Sequence, residues 1–327
     1  MKNFSLRHKR VLVTGGAGFI GSHLVDALIN EEVEVIVIDD LSRGNMENLN
    51  NAIKRITFRK FDIRNYEEVK KIFNETEVEV VFHCAANANV PYSVENPEYD
   101  FTVNVLGTFN ILMSSLESNV ERVIYASSAA VYGEPEYVPI DEGHPLNPIS
   151  PYGASKLAGE KLGFAYYHTY GIGFTSLRIF NAYGPRQKKH VIYDILRKLN
   201  ENPSRLELLG DGRQVRDFCY VTDVVKAFLL AAENKNSIGE VFNIGSGEAI
   251  SLHKLASLII EIMGLKQRTK IYYTGKTWRG DIQKLVADIS KAKNVLGFRP
   301  EVSLMDGITR VIKWFDEEDR NRIIKTS

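Results

Sequence analysis

The sequence predicts an α/β fold, a doubly wound parallel sheet with a smaller α/β lobe after it. Three observations carry this. Short β-branched runs alternate with helical patterns through the first half, the first run passes straight into a glycine-rich turn that opens a helix, and the texture loosens after about residue 180. Strand, helix, strand repeated in this way calls for parallel strands joined by right-handed crossovers, because a strand buried on both faces needs a helix to carry the chain back.

In chain order, Val11-Leu12-Val13-Thr14, Val33 to Ile38, Ile56 to Phe61, Val78 to His83 and Val123 to Ser127 read as buried strands. Phe19, Ile20, Leu24 and Leu28 form the apolar stripe of a helix between the first two. A helix from about Val103 to Glu117 and another from Pro151 to about Tyr170 follow. Beyond Asn181 turns become frequent; Val221 to Glu233 and Leu252 to Met263 still read as helices, the second capped by Ser251. Residues 1–180 are therefore expected to form one domain, with about 217–246 returning to it, and 181–327 a smaller lobe beside a cleft.

Composition narrows the function. Lys+Arg and Asp+Glu are equal at 41 each, which gives no basic excess for nucleic acid. The two cysteines, Cys84 and Cys219, have no metal-ligand spacing and read as small buried apolar residues; no metal is expected. The basic N-terminus is followed by an apolar run too short for a signal core, and no later run is long enough to span a bilayer, so a cytoplasmic location and no membrane partner are expected.

The turn after the first strand reads Gly15-Gly16-Ala17-Gly18-Phe19-Ile20-Gly21. A first glycine permits the tight turn, a second lets backbone approach a pyrophosphate, and a third lets helix and sheet pack closely. The helix N-terminus then presents free N–H groups to the phosphates. Asp39 stands eighteen residues after Gly21, at the end of the second strand. A carboxylate there accepts from the adenosine ribose hydroxyls and repels a 2′-phosphate, which favours NAD over NADP, with Arg43 the nearby residue that argues the other way. This is the fingerprint of a Rossmann-type dinucleotide domain.

Tyr152 and Lys156 stand four residues apart at the start of a helix and so share one face. Alone, that pair is a common solvated helix face. It gains meaning downstream of the dinucleotide turn and of Ser127-Ser128, which end the fifth strand, because strand C-termini are where such sheets hold ligands. The ammonium and an oxidised nicotinamide are expected to bring the phenol toward working pH as an acid/base.

At this point the sequence resembles the extended short-chain dehydrogenase/reductases of the sugar-nucleotide epimerase/dehydratase group, and most closely the UDP-glucose 4-epimerases. The resemblance runs over nearly the whole chain. It rests on Thr14 to Gly21, Asp39-Asp40-Leu41, Asp62-Ile63, His83-Cys84-Ala85-Ala86, Asn104 to Thr108, Ser127 to Gly133, Tyr152 to Lys156, Leu177 to Asn181, Gly210 to Asp217 and Arg279-Gly280-Asp281. It implies NAD held by Gly15, Gly18, Phe19, Ile20, Gly21, Asp39, Asp40, Asp62, Ile63, Ala85, Ala86, Asn104 and Ser127, together with Tyr152 and Lys156. By the same resemblance Tyr152 is the acid/base at the sugar 4-hydroxyl, Lys156 holds the nicotinamide ribose, and Ser128 hydrogen-bonds the hydroxyl. Asn181, Arg216 and Arg279 hold the nucleotide diphosphate, with Asp281 at or near its ribose. A homodimer through the Val103–Glu117 and Tyr152 helices is implied as well; on the first, Phe101, Val105, Phe109, Leu112 and Leu116 have the spacing of a partly exposed apolar face, and the same spacing fits a core face.

The family's dehydratases carry an Asp-Glu pair just after the serine or threonine of the fifth strand. This chain has Ala129 and Ala130, which cannot move protons, so a 4-epimerase acting on a UDP-hexose is expected. Another sugar-nucleotide epimerase or a reductase is the alternative, and a non-catalytic NAD sensor or scaffold is the reading from a different class. Gln187 to Tyr193 is shorter than the family's loop there and is expected over the substrate; His190 within it is expected in a plain exposed loop. Leu285 falls at the position that tunes room for an N-acetyl group.

Overall fold

The computed structural model describes residues 4–277 and 280–326. Seven parallel strands form the central sheet. Six are β1 (Arg10–Thr14), β2 (Glu34–Ile38), β3 (Ile56–Arg59), β4 (Val80–His83), β5 (Arg122–Ser128) and β6 (Gly173–Ile179), in the order β3-β2-β1-β4-β5-β6. The seventh, Val241–Ile244, comes from the second half of the chain and pairs with β6 from Ser176 to Ile179. Strand order reverses between β1 and β4, which opens a crevice at their C-terminal ends.

Side chains on these strands alternate between two cores. Val11, Val13, Val35, Val37, Val80 and Phe82 pack on one face with Leu24, Leu28, Val224 and Phe228 from helices Phe19–Leu28 and Val221–Glu233. Leu12, Ile36, Ile38 and Val81 face the other way, against Ile72, Phe73, Ile111 and Tyr166. Burial on both faces is why these runs read as continuous apolar stretches with no alternation.

A third core forms where Ile192, Ile195, Leu196 and Leu199 of helix His190–Glu201 meet Leu255 and Ile259 of helix Leu252–Ile262 and Ile308 of helix Leu304–Thr326. Ser251 accepts from the Lys254 N–H at 3.2 Å and caps its helix. The stripe divides between the two expected placements: Leu112 is buried in the second core, while Phe101 and Phe109 are exposed; a π-turn over Thr102–Leu106 precedes the helix. Among the described residues no helix is long and apolar enough to cross a membrane, and no cluster of three or more His, Cys, Asp or Glu side chains is placed to hold a metal.

Candidate active site

Gly15 leaves β1 at φ +68°, and a Cβ there would stand 2.7 Å from the Ala85 nitrogen. A Cβ on Gly21 would strike the Gly15 carbonyl. Both positions are thus closed to side chains, one by conformation and contact, the other by contact. Helix Phe19–Leu28 starts at Gly18 with no side-chain cap, which leaves its first N–H groups to a ligand. They border a cavity of about 550 Å³ whose wall also includes Asp39, Asp40, Asp62, Ile63, Ala85 and Ala86.

Asp39 is fixed by backbone donors: Oδ2 accepts from Ala17 N–H at 2.9 Å and Oδ1 from Leu41 N–H at 2.8 Å. Burial pushes its carboxyl above the ordinary range, and these N–H groups act against that. Asp40 turns its own loop, accepting from the Ser42 N–H and hydroxyl. Asp62 is gripped by Arg64 Nε and Nη2 at 2.9 and 2.6 Å. Burial works to raise Asp62, but the Arg64 bonds outweigh it and hold the carboxyl below its usual range. The cradle fits a dinucleotide: small residues where phosphates approach, and an oriented carboxylate at the end of β2. Asp39→Ala should weaken NAD at least about tenfold and narrow its preference over NADP, because two lone-pair acceptors for ribose hydroxyls vanish. Equal NAD and NADP constants for variant and parent, read by calorimetry, would make Asp39 a turn residue only.

A second cavity, of about 330 Å³, shares Phe19, Ile20, Cys84, Ala86 and Ala126 with the first, so the two are continuous. Its wall holds Ser127, Ser128, Tyr152, Lys156, Asn181 and Arg216. Helix Pro151–Tyr170 is started by Ser150, whose Oγ accepts from Gly153 N–H at 3.1 Å, with Pro151 in its first turn. Tyr152 N–H donates to Ser93 Oγ at 3.1 Å, which sets the first turn against the cavity. Ser128 shares this wall with Tyr152 and lowers the phenol's pKa in part; its own Oγ accepts from Ala130 N–H at 3.2 Å.

Lys156 is buried, its Nζ 4.2 Å from the Tyr125 ring centroid. Burial lowers its pKa to about 8, with Cys84, Asp100 and Glu160 pulling the other way. The expected downward pull of Lys156 on Tyr152 does not prevail: burial drives the phenol's pKa up, Ser128 lowers it in part, and Asp100 adds to the rise. Ser127 Oγ is buried on the same wall with no partner.

Not every expected residue reaches the cavity. The Asn104 side chain is turned inward and fully used: its Oδ1 accepts from Asn87 N–H at 2.7 Å, and its Nδ2 serves Asn87 O, Asp100 and Ser155. It braces the cavity wall from behind, where a cofactor-binding position was expected. Asp281 likewise spends Oδ1 on Arg216 Nη2 at 2.7 Å, so it aims the guanidinium. Burial lowers the Arg216 pKa and raises that of Asp281, as expected of a partly dehydrated pair. Asn181 Nδ2 donates to Asp217 O at 3.0 Å while its residue lines the cavity. Arg279 lies outside the described residues; its neighbours Gly280 and Ile282, with Leu285, border the site.

Two expectations change. Cys84 lines both cavities, and burial raises its thiol to about 12, so it stays protonated; Cys219 is the core cysteine. His190 is exposed, as expected, but it opens helix His190–Glu201 where a loop was expected, and it borders both cavities. The only sequence signal for this was two lysines and a histidine directly before a helical pattern. Arg186 was missed altogether, as was a buried fork behind the site in which Arg178 Nη2 and Nε bind Glu160 at 2.5 and 3.1 Å.

A family model described as the NAD dependent epimerase/dehydratase family matches residues 11–245. A relative from Methanocaldococcus jannaschii is 45% identical over 315 residues, covering 95% of this chain and 99% of its own. The crystal structure of UDP-glucose 4-epimerase from Thermotoga maritima with UDP-glucose is 38% identical, with a TM-score of 0.89 over 94% of this chain and 99% of that one. The UDP-glucuronic acid 4-epimerase of Bacillus cereus, in complex with UDP-glucuronic acid and NAD, is 32% identical, with a TM-score of 0.88 over 94% and 99%.

Proposed function

As this chain belongs to the NAD-dependent epimerase/dehydratase family, we propose that it is a 4-epimerase of a UDP-hexose, interconverting UDP-glucose and UDP-galactose. The observation that carries the reading is the grouping of Tyr152, Ser128 and Lys156 on one cavity wall, followed by two alanines, Ala129 and Ala130, that border the same cavity. Removal of water across the ring needs an acid and a base at the alanine positions; proton exchange at one hydroxyl needs only the tyrosine.

When bound, NAD would supply the hydride chemistry at C4, and its oxidised ring would favour the phenolate. Tyr152 takes the 4-hydroxyl proton and gives it back once the keto sugar has turned its other face. Ser128, on the same wall as the phenol, holds the same oxygen, so the proton passes between positioned groups. Lys156, still mostly protonated at neutral pH with a pKa of about 8, holds the nicotinamide ribose and stabilises the phenolate. Arg216, aimed by Asp281, and Asn181 grip the diphosphate while the hexose turns. Leu285, buried at the edge of this cavity, bears on how large a sugar substituent fits.

The enzyme works as a homodimer in the cytoplasm. Phe101 and Phe109 are 57% and 38% exposed one turn apart from Val105 and Met113, an apolar stripe that a second copy would cover. Purified protein given UDP-galactose, with no NAD added, should yield UDP-glucose on chromatography, and the same preparation should elute at dimer size. Absence of product, even with NAD supplied, while UDP-glucuronate or an N-acetylated sugar nucleotide is turned over, would move the substrate and keep the chemistry. No turnover of any sugar nucleotide would sink the epimerase reading.

A further inference from the structure

Arg186 lines the nucleotide cavity together with Gly15, Gly18 and Gly21. Its backbone sits at φ +71°, a conformation that side chains with a Cβ adopt at a cost and that persists where the surroundings demand it. Two bonds to one helix fix the loop that carries it. His23 Nε2 donates to the Pro185 carbonyl at 3.0 Å, and Arg186 Nη2 is 2.6 Å from Asp26 Oδ2. His23 and Asp26 belong to helix Phe19–Leu28, the helix opened by the glycine turn. Burial lowers His23 to about 4, so this tie is a neutral imidazole donating one hydrogen bond.

The ion pair uses one leg of the fork. Arg186 Nη1 and Asp26 Oδ1 are both cut off from solvent, and neither has a partner. A guanidinium N–H removed from water without an acceptor is costly, and proteins leave such groups open chiefly where a ligand completes them. The glycine turn and helix start offer a dinucleotide's diphosphate partial charges and N–H donors but no full positive charge. Arg186 lines this cavity and is the cation tied to that helix by an ion pair, through Asp26.

We infer that Arg186 is a binding residue for the diphosphate bridge of the cofactor: Nη1 donates to a phosphate oxygen of bound NAD while Asp26 holds the guanidinium from behind. The inference rests on NAD as the cofactor and is independent of which sugar is turned over. It also gives the loop after Tyr183 a purpose beyond covering substrate, since Gln187 and His190, next in the chain, border both cavities.

The test is binding, so it does not depend on turnover. Full-length protein stripped of nucleotide is titrated by calorimetry with NAD, with ADP-ribose and with adenosine, which has no diphosphate. Arg186→Gln should weaken NAD and ADP-ribose about tenfold or more, the size expected for one charge-assisted hydrogen bond, and leave adenosine unchanged. Unchanged NAD and ADP-ribose constants would overturn the assignment. So would an equal loss for adenosine, which would mean that Arg186 only shapes the loop. If Arg186→Gln fails to fold, Asp26→Asn takes its place: loss for the two diphosphates but not for adenosine supports the assignment, and no loss overturns it.

Discussion

Tyr152→Phe should cut turnover of the sugar nucleotide by roughly 10³-fold or more while the protein keeps its full complement of NAD, because one hydroxyl carries the only proton exchange assigned to the reaction. The substitution removes a single oxygen from the wall that Tyr152 shares with Ser128. The ring that fills the cavity wall stays, as do the Ser150 cap and the Tyr152 N–H bond to Ser93, so the fold and the cofactor cradle should be untouched. Turnover read by chromatography and NAD content read after denaturation separate the two effects. Unchanged turnover would remove Tyr152 from the chemistry. Loss of NAD along with turnover would mean that the phenol holds the cofactor instead.

Glu160→Ala should lower stability by about 3–5 kcal/mol, the cost of leaving a buried arginine without its partner. The side chains of Glu160 and Arg178 are 0% and 3% exposed. Glu160 takes two bonds from Arg178 and one from the Ser176 hydroxyl, and Arg178 Nη1 continues to the Tyr132 hydroxyl at 2.9 Å. Tyr132 in turn donates to Asn243 on the seventh strand at 2.6 Å. In a chain of this length such a loss corresponds to roughly 5–10 °C in melting temperature. Replacing both partners by methionine should restore much of the loss, since a charge-free pair of similar volume avoids dehydrating two ions. A double variant no more stable than Glu160→Ala would show that the network, and not the unpaired charge, sets the cost. Glu160 lies one helical turn beyond Lys156 and helps keep that ammonium charged, so its removal should also lower the proton affinity of Lys156 further.

Much of the sheet could be read from the sequence because its information is local. Runs such as Val35–Ile38 and Val80–Phe82 are apolar from end to end, and the glycine turn has the spacing of a strand-to-helix junction. Helix Val221–Glu233 shows its whole extent in its periodicity. What stayed hidden depends on partners far away in sequence. Asn104 carries no sign that Asn87, Asp100 and Ser155 will claim its amide, and Asp281 none that Arg216, sixty-five residues earlier, will claim its carboxylate. Arg186 gave no signal because its meaning lies in a left-handed backbone and one unpartnered nitrogen, both properties of the folded chain.

The seventh strand has a consequence for how this protein can change over evolutionary time. Val241–Ile244 is contributed by the half of the chain that also builds the smaller lobe, and it closes the sheet beside β6 with Asn243 wired to Tyr132. A cut anywhere between β6 and Val241 takes a strand from the central sheet, so the two sides of such a cut do not separate as an exchangeable cassette. Diversification toward new sugars must proceed by substitution in place, in short segments such as Gln187–His190 and around Leu285, with the interlaced frame inherited whole.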